Sequence, residues 1–318
     1  MTAGFTARMV AAALLIAAGC ERAGPHVEVM ESSVTTGDGV RLYYRVAGSG
    51  TQTIIAPFAL YHGTALDRLA KGRRIVTFDP RGRGASDPVS PEDLSLDHLL
   101  DDLDAVRRAV GAEKVTLLGW SGGGMEGFAY ALRHPGRVER IIQLAPVAAR
   151  FDPYGRQMMD DRGRRTDAAA IEEFRARVGR GEFAGDSAGQ CRARTRITDP
   201  ATFADPARMP EVPDVCVHRN EHDDLLGPYF GKLFEFIDGY DYRARLAEVA
   251  VPRLVIHGAA DNTPLEGNRE WVAGQPNARI LVIEGAGHWP HYEKPDETLA
   301  AIETFLAGDW PAGAQAVP

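Results

Sequence analysis

Positive charge, cysteine and long apolar runs are all scarce in this chain. Lysine and arginine number 36 against 44 aspartates and glutamates, a formal net charge of −8. No basic stripe with interleaved aromatics offsets that balance, so binding along a phosphate backbone is excluded as the main task. The apolar run Met9–Ala18 is too short to cross a bilayer as a helix. No internal repeat is present. What remains is the composition of a soluble globular chain, 44% hydrophobic and 25% charged over 318 residues, enough for one large core and a sub-domain.

The short apolar run follows Arg8 and ends in Ala17-Ala18-Gly19 before Cys20, the three-part layout of a secretory signal. Residues 1–20 are therefore expected to be a signal peptide. Ile16-Ala17-Ala18-Gly19-Cys20 is similar to the lipobox of bacterial lipoproteins, with Ala17 where leucine is commonest. The resemblance implies export to the periplasm or cell envelope and acylation of Cys20, which would be the chain's tie to a membrane. Cleavage at Gly19/Cys20 without lipid is the alternative. Cys191 and Cys216 then remain as an even pair in an exported protein, where a disulfide persists; two buried free thiols are the other reading.

Along the chain, Glu28–Thr36 and Arg41–Ala47 read as strands around Gly37-Asp38-Gly39, a hairpin signal. Thr53–Ala56 and Arg74–Phe78 are further strands, with a brief helix at Leu66–Lys71 between them. Leu96, Leu99, Leu100, Leu103, Val106 and Val110 keep helical spacing behind Ser95, a plausible N-cap. Lys114–Leu118 is β-branched and apolar; Gly119-Trp120-Ser121-Gly122-Gly123 breaks it, and a helix runs on to His134. Val138–Leu144, Arg253–His257 and Arg279–Ile283 are the later strands, before a helix carrying Leu299, Ile302, Phe305 and Leu306. This alternation predicts a mostly parallel, doubly wound α/β sheet over 27–150 and 242–308. From 151 to 241 only helical patterns occur, so a helical cap is expected there, inserted after the sixth strand. Residues 309–318, rich in Ala, Gly and Pro, are expected to be a flexible tail.

Strand, sharp turn and helix with Gly119-x-Ser121-x-Gly123 at the turn is the pattern of a nucleophile elbow. Three fixed residues arise by chance in a chain with 34 glycines, so context must carry the reading. A serine hydroxyl is a weak nucleophile and needs a base, and the base needs a carboxylate to fix its tautomer. Asp261 follows the strand Arg253–His257, and His288 follows Arg279–Ile283. Three required groups thus fall at the C-terminal ends of three strands, where open α/β sheets place their sites.

With these residues the chain is similar to the α/β-hydrolase fold family. Asp79-x-Arg81-Gly82-x-Gly84-x-Ser86-Asp87, Gly119-x-Ser121-x-Gly123-Gly124, His257-Gly258-x-x-Asp261-x-x-Pro264 and Gly285-x-Gly287-His288 carry the resemblance in the family's order. It implies Ser121 as nucleophile, His288 as base and then acid, and Asp261 as orienting carboxylate, with a small ester or peptide as substrate and no cofactor. The third strand runs into Pro57-Phe58, so Phe58 and Gly122 are the implied oxyanion amides, with His62-Gly63 as the competing alignment. Gly-Gly-Met after the nucleophile and the large cysteine-bearing cap most resemble proline iminopeptidase-type peptidases, although their His-Gly-Gly-Pro segment is absent. Such enzymes need a cap acid to receive a free amine, and Glu221 or Glu182 is available. A carbon–carbon bond hydrolase with the same triad, or a binding lipoprotein without catalysis, are the alternatives.

Several polar residues carry a second reading. His291 competes with His288 for the base role. Asp79 and Arg81 are expected to tie down a loop, and His134 to supply a helix-terminal charge or to lie on the surface. His218-x-x-x-His222-Asp223 has the spacing of a helical metal grip, or of a solvated cap helix; a serine triad requires no metal. Glu126, where relatives usually have an aliphatic residue, either pairs with an arginine or faces the pocket.

Overall fold

The computed structural model describes residues 27–216 and 239–318. Eight strands form one sheet: β1 (Val29–Thr35), β2 (Arg41–Ala47), β3 (Thr53–Pro57), β4 (Arg74–Phe78), β5 (Val115–Trp120), β6 (Val138–Leu144), β7 (Arg253–Gly258) and β8 (Ala278–Ile283). Their spatial order is β1-β2-β4-β3-β5-β6-β7-β8. β1 and β2 pair antiparallel, β2 runs antiparallel to β4, and all later pairs are parallel. The α/β-hydrolase architecture expected from the motifs is the one present.

The two faces of the sheet follow from side-chain alternation along each strand. Ile55, Val76 and Leu117 face one core with α1 (Leu96–Ala109) and α2 (Gly122–Arg133), whose Leu103, Val106 and Phe128 they meet. Ile54, Ile75 and Leu118 face the other with the C-terminal helix, through Leu299, Ile302 and Phe305. Strands buried on both faces read as unbroken apolar runs, which is why they were visible in the sequence.

The chain moves from β3 outward to β4, then crosses back to β5 on the other side of β3. This reversal leaves a crevice beyond the C-terminal ends of β3 and β5, where sheets of this kind bind ligands. Phe58 ends one strand there and Ser121 the other.

The cap leaves after β6 and returns before β7. Its two crossings are stitched by an Arg150–Asp241 bridge, with the Phe151 N–H donating to Tyr240 O at 3.0 Å and the Tyr242 N–H to Ala149 O at 3.0 Å. Three helices of the cap are described, α3 (Tyr154–Arg165), α4 (Ala168–Gly179) and α5 (Ser187–Thr198). Cys191 on α5 is joined to Cys216 by a disulfide, with Cα atoms 5.6 Å apart. Among the described residues no helix is long and apolar enough to cross a membrane.

Residues 309–318 do not form the loose tail expected. Gln315 exchanges two backbone hydrogen bonds with Ile280, at 2.8 and 2.9 Å, and the Gly274 N–H donates to Val317 O. β8 is the outer strand, and its open backbone groups give the tail its partners. Of the two readings of His134, the helix-terminal charge is the one the structure does not support. Its ring lies 4.7 Å from that of Tyr130 and burial holds its pKa below the usual histidine value, so it adds no charge at neutral pH to the end of α2.

Candidate active site

β5 ends in an abrupt reversal. Ser121 adopts φ 53° and ψ −123°, a strained conformation for a residue with a side chain. The turn is so tight that a Cβ on Gly119 would lie 2.0 Å from the Gly123 carbonyl oxygen. Glycine is therefore required there, as the motif implies. The Ser121 side chain does not cap the helix that follows, and its hydroxyl lines a cavity of about 210 Å³ beneath the cap.

His288 Nε2 lies 2.9 Å from Ser121 Oγ. On the other side of the imidazole, Nδ1 is 3.1 Å from both oxygens of Asp261. Burial acts against the Asp261 charge, yet His288 and the N–H of Thr263, which donates to Oδ1 at 2.9 Å, hold its pKa below the usual carboxylate value. The structure thus brings together three side chains that lie far apart in the sequence, in the order hydroxyl, imidazole, carboxylate. The chain is packed closely around them: a Cβ on Gly258 would meet the Gly287 carbonyl oxygen at 2.0 Å.

A profile of the alpha/beta hydrolase fold family matches residues 58–295. The chain belongs to the α/β-hydrolase fold family. Curated relatives include the 2-hydroxy-6-oxononadienedioate/2-hydroxy-6-oxononatrienedioate hydrolase of Paraburkholderia xenovorans, 24% identical over 298 residues, covering 86% of this chain and 93% of that one. The proline iminopeptidase of Heyndrickxia coagulans is 25% identical over 269 residues, covering 81% and 91%. Among solved structures, an esterase from Exiguobacterium antarcticum superposes with a TM-score of 0.67 at 21% identity, covering 87% of this chain and all of that one. This hydrolase is therefore an enzyme by family, with relatives named for different substrates.

Phe58 follows β3 in a left-handed conformation, φ 69° and ψ 56°, and lines the cavity with Gly122. His62, the competing alignment, is buried away from the cavity lining, with Nε2 3.1 Å from the Pro57 carbonyl, where the ring N–H donates. His291 is equally enclosed. Its ring lies 4.6 Å from Tyr292 and 5.5 Å from His62, neither nitrogen has a hydrogen-bond partner, and burial holds its pKa far below the usual value. It is no competitor for the base role.

The family loop serves as scaffold. Asp79 accepts from the N–H groups of Leu60 and Ala85, while Arg81 is buried in a bidentate contact with the buried Asp102. Sequence reasoning missed a different set of restraints. The Trp120 indole N–H donates to His288 O at 2.7 Å. Glu293 accepts from the N–H groups of Gly287 and Ala204, both at 2.7 Å, and the His288 N–H donates to Thr202 O at 2.8 Å. These contacts join the histidine loop to the cap segment 202–205. Glu293 lies only six residues past Gly287, but nothing in its local pattern marks it.

Among the described residues no cluster of His, Cys, Asp or Glu is arranged to hold a metal ion. His218, His222 and Asp223, the other helical candidate, lie outside the described residues, as do Glu221 and Cys20. Glu182 is a surface group held by Arg177 at 2.6 Å, away from the cavity. Glu126 does line the cavity. Burial pushes its carboxyl up to about 7, against the pull of Arg83. Asp199 lines it too, with Arg162 at 3.1 Å and Thr198 at 2.9 Å.

Proposed function

We propose that this chain is a serine hydrolase that cleaves an ester or amide through an acyl-enzyme. The 2.9 Å contact between His288 Nε2 and Ser121 Oγ carries the reading. His288 takes the hydroxyl proton as Ser121 Oγ bonds to the substrate carbonyl carbon. The N–H groups of Phe58 and Gly122 receive the developing oxyanion. The tetrahedral intermediate collapses, its leaving group takes the proton from His288, and water repeats the sequence to release the acid. Asp261 keeps the Nδ1 proton in place and stabilises the imidazolium.

Small esters are the preferred substrates in this reading, ahead of amino-terminal residues of peptides. An aminopeptidase needs a cap carboxylate for the amine, and the described cap acid at the cavity, Asp199, is already engaged by Arg162. The relatives named as hydrolases of a dienedioate motivate a second reading, cleavage of a carbon–carbon bond by the same triad. Turnover of a vinylogous diketone without turnover of esters would select it.

A fluorophosphonate probe tests the core of the proposal. Labelling should occur in the wild type and vanish in Ser121→Ala, with turnover of p-nitrophenyl esters down roughly 10⁴-fold or more. An unlabelled wild-type protein would sink it. The Arg8–Cys20 pattern and the paired Cys191 and Cys216 support export with a lipid anchor on Cys20; incorporation of radiolabelled palmitate that disappears in Cys20→Ala is the check.

A further inference from the structure

Glu126 stands on α2 four residues beyond Gly122, about 6 Å along the helix axis at 1.5 Å per residue. Helical side chains lean back toward the N-terminus, which here means toward the reacting serine. The residue is 5% exposed and lines the same cavity as Ser121 and His288. Its carboxyl makes no hydrogen bond among the described residues. A buried carboxyl with no partner is costly to keep, and an aliphatic side chain would fill the site at lower cost. Groups retained against stability in this way are characteristic of functional positions.

No donor among the described residues meets it, and the open side of the carboxyl is the cavity that receives substrate. Arg83 lines the same cavity and its charge favours the ionised form of Glu126, while Asp102, itself paired with Arg81, opposes it. A hydroxyl both donates and accepts, so it matches the carboxyl with or without its proton, whereas an ammonium matches the ionised form alone. We propose that Glu126 is the specificity-determining group of the acyl pocket and that it binds a hydroxyl carried two or three carbons from the substrate's reacting carbonyl. This rests on the acyl-enzyme reading above.

The test compares p-nitrophenyl esters of 3-hydroxybutanoate, butanoate and 3-aminobutanoate on wild type, Glu126→Gln and Glu126→Met. The wild type should favour the hydroxy ester over butanoate by roughly 10- to 100-fold in kcat/KM. Glu126→Gln, which retains hydrogen-bonding atoms, should keep part of that ratio. Glu126→Met should bring it to about one through faster turnover of butanoate and slower turnover of the hydroxy ester, and should raise the thermal midpoint. An unchanged ratio in Glu126→Met overturns the proposal while leaving the hydrolase reading intact. So does preference for the amino ester, or a fall in thermal midpoint that marks the carboxyl as a structural support. Absence of turnover for all three esters, together with no probe labelling, would remove both proposals at once.

Discussion

The indole of Trp120 and the backbone carbonyl of His288 are joined by a 2.7 Å hydrogen bond. Trp120 immediately precedes Ser121, so the residue beside the nucleophile also restrains the loop that bears the base. Its ring packs against Trp289, with centroids 4.2 Å apart, and against His288 itself at 5.0 Å. Trp120→Phe preserves most of the packing and deletes the donor. We expect kcat to fall about fivefold with KM little changed, in line with roughly 1 kcal/mol for a lost hydrogen bond. Steady-state kinetics on a p-nitrophenyl ester decide it, and a change confined to KM would show that the bond does not position His288.

Asp261→Asn retains the shape of the side chain but not its charge. Nδ1 of His288 then faces a group that is no longer obliged to accept, and the tautomer that presents a basic Nε2 to Ser121 loses its stabilisation. Turnover should fall by roughly 10³- to 10⁴-fold while the fold survives. Circular dichroism beside the rate measurement separates this from unfolding, and near-wild-type turnover would contradict the assigned role.

Acid should act on stability through two buried histidines, with an opposite contribution from Glu126, whose carboxyl, pushed up to about 7, takes its proton in the native chain before the unfolded one does. Burial lowers the pKa of His62 to about 4 and that of His291 further still, with His62 itself also opposing a charge on His291. Below about pH 6.5 the unfolded chain binds protons that these two imidazoles refuse in the fold, so their contribution to stability falls as pH drops from 6.5 towards 4. His62 alone accounts for about 3 kcal/mol over that window, at about 1.4 kcal/mol per pH unit. His62→Gln keeps a donor for the Pro57 carbonyl and should flatten the pH dependence of the urea midpoint. An equally steep dependence in the variant would count against this origin.

Reduction of the Cys191–Cys216 bridge should loosen the cap and leave the sheet folded. The bridge closes a loop with a sequence separation of 25, worth about 3 kcal/mol in the chain-entropy model. Val215, next to Cys216, lines the substrate cavity. KM should therefore rise under reducing conditions, whereas fluorophosphonate labelling of Ser121 persists. A thermal midpoint insensitive to reductant would show that the cap does not depend on the bridge.

The sheet and the triad residues were legible because each leaves a local signature. β5 and β7 are apolar runs with turns behind them, and Gly119, Gly258 and Gly287 sit where a Cβ would strike neighbouring backbone. Cys191 and Cys216 were legible as a pair by parity. The docking of Gln315 on Ile280 was not, since a short polar tail has no period of its own and takes its geometry from the open edge of β8. Nor could Trp120 or Glu293 have been linked to the histidine loop: both bonds depend on how the cap and three strand ends meet, a property of the packed chain. Glu126 was conspicuous as a residue type, but whether it met an arginine or the cavity required the positions of Arg83 and α2 together.

Glu293 has a mechanical consequence. One carboxylate grips the Gly287 amide with one oxygen and the Ala204 and Asp205 amides with the other, so the roof over the cavity and the loop bearing the imidazole form a single rigid body on that side. A swing of the roof about this flank would drag the base away from the serine. Engineering of access to the cavity should therefore leave this corner untouched.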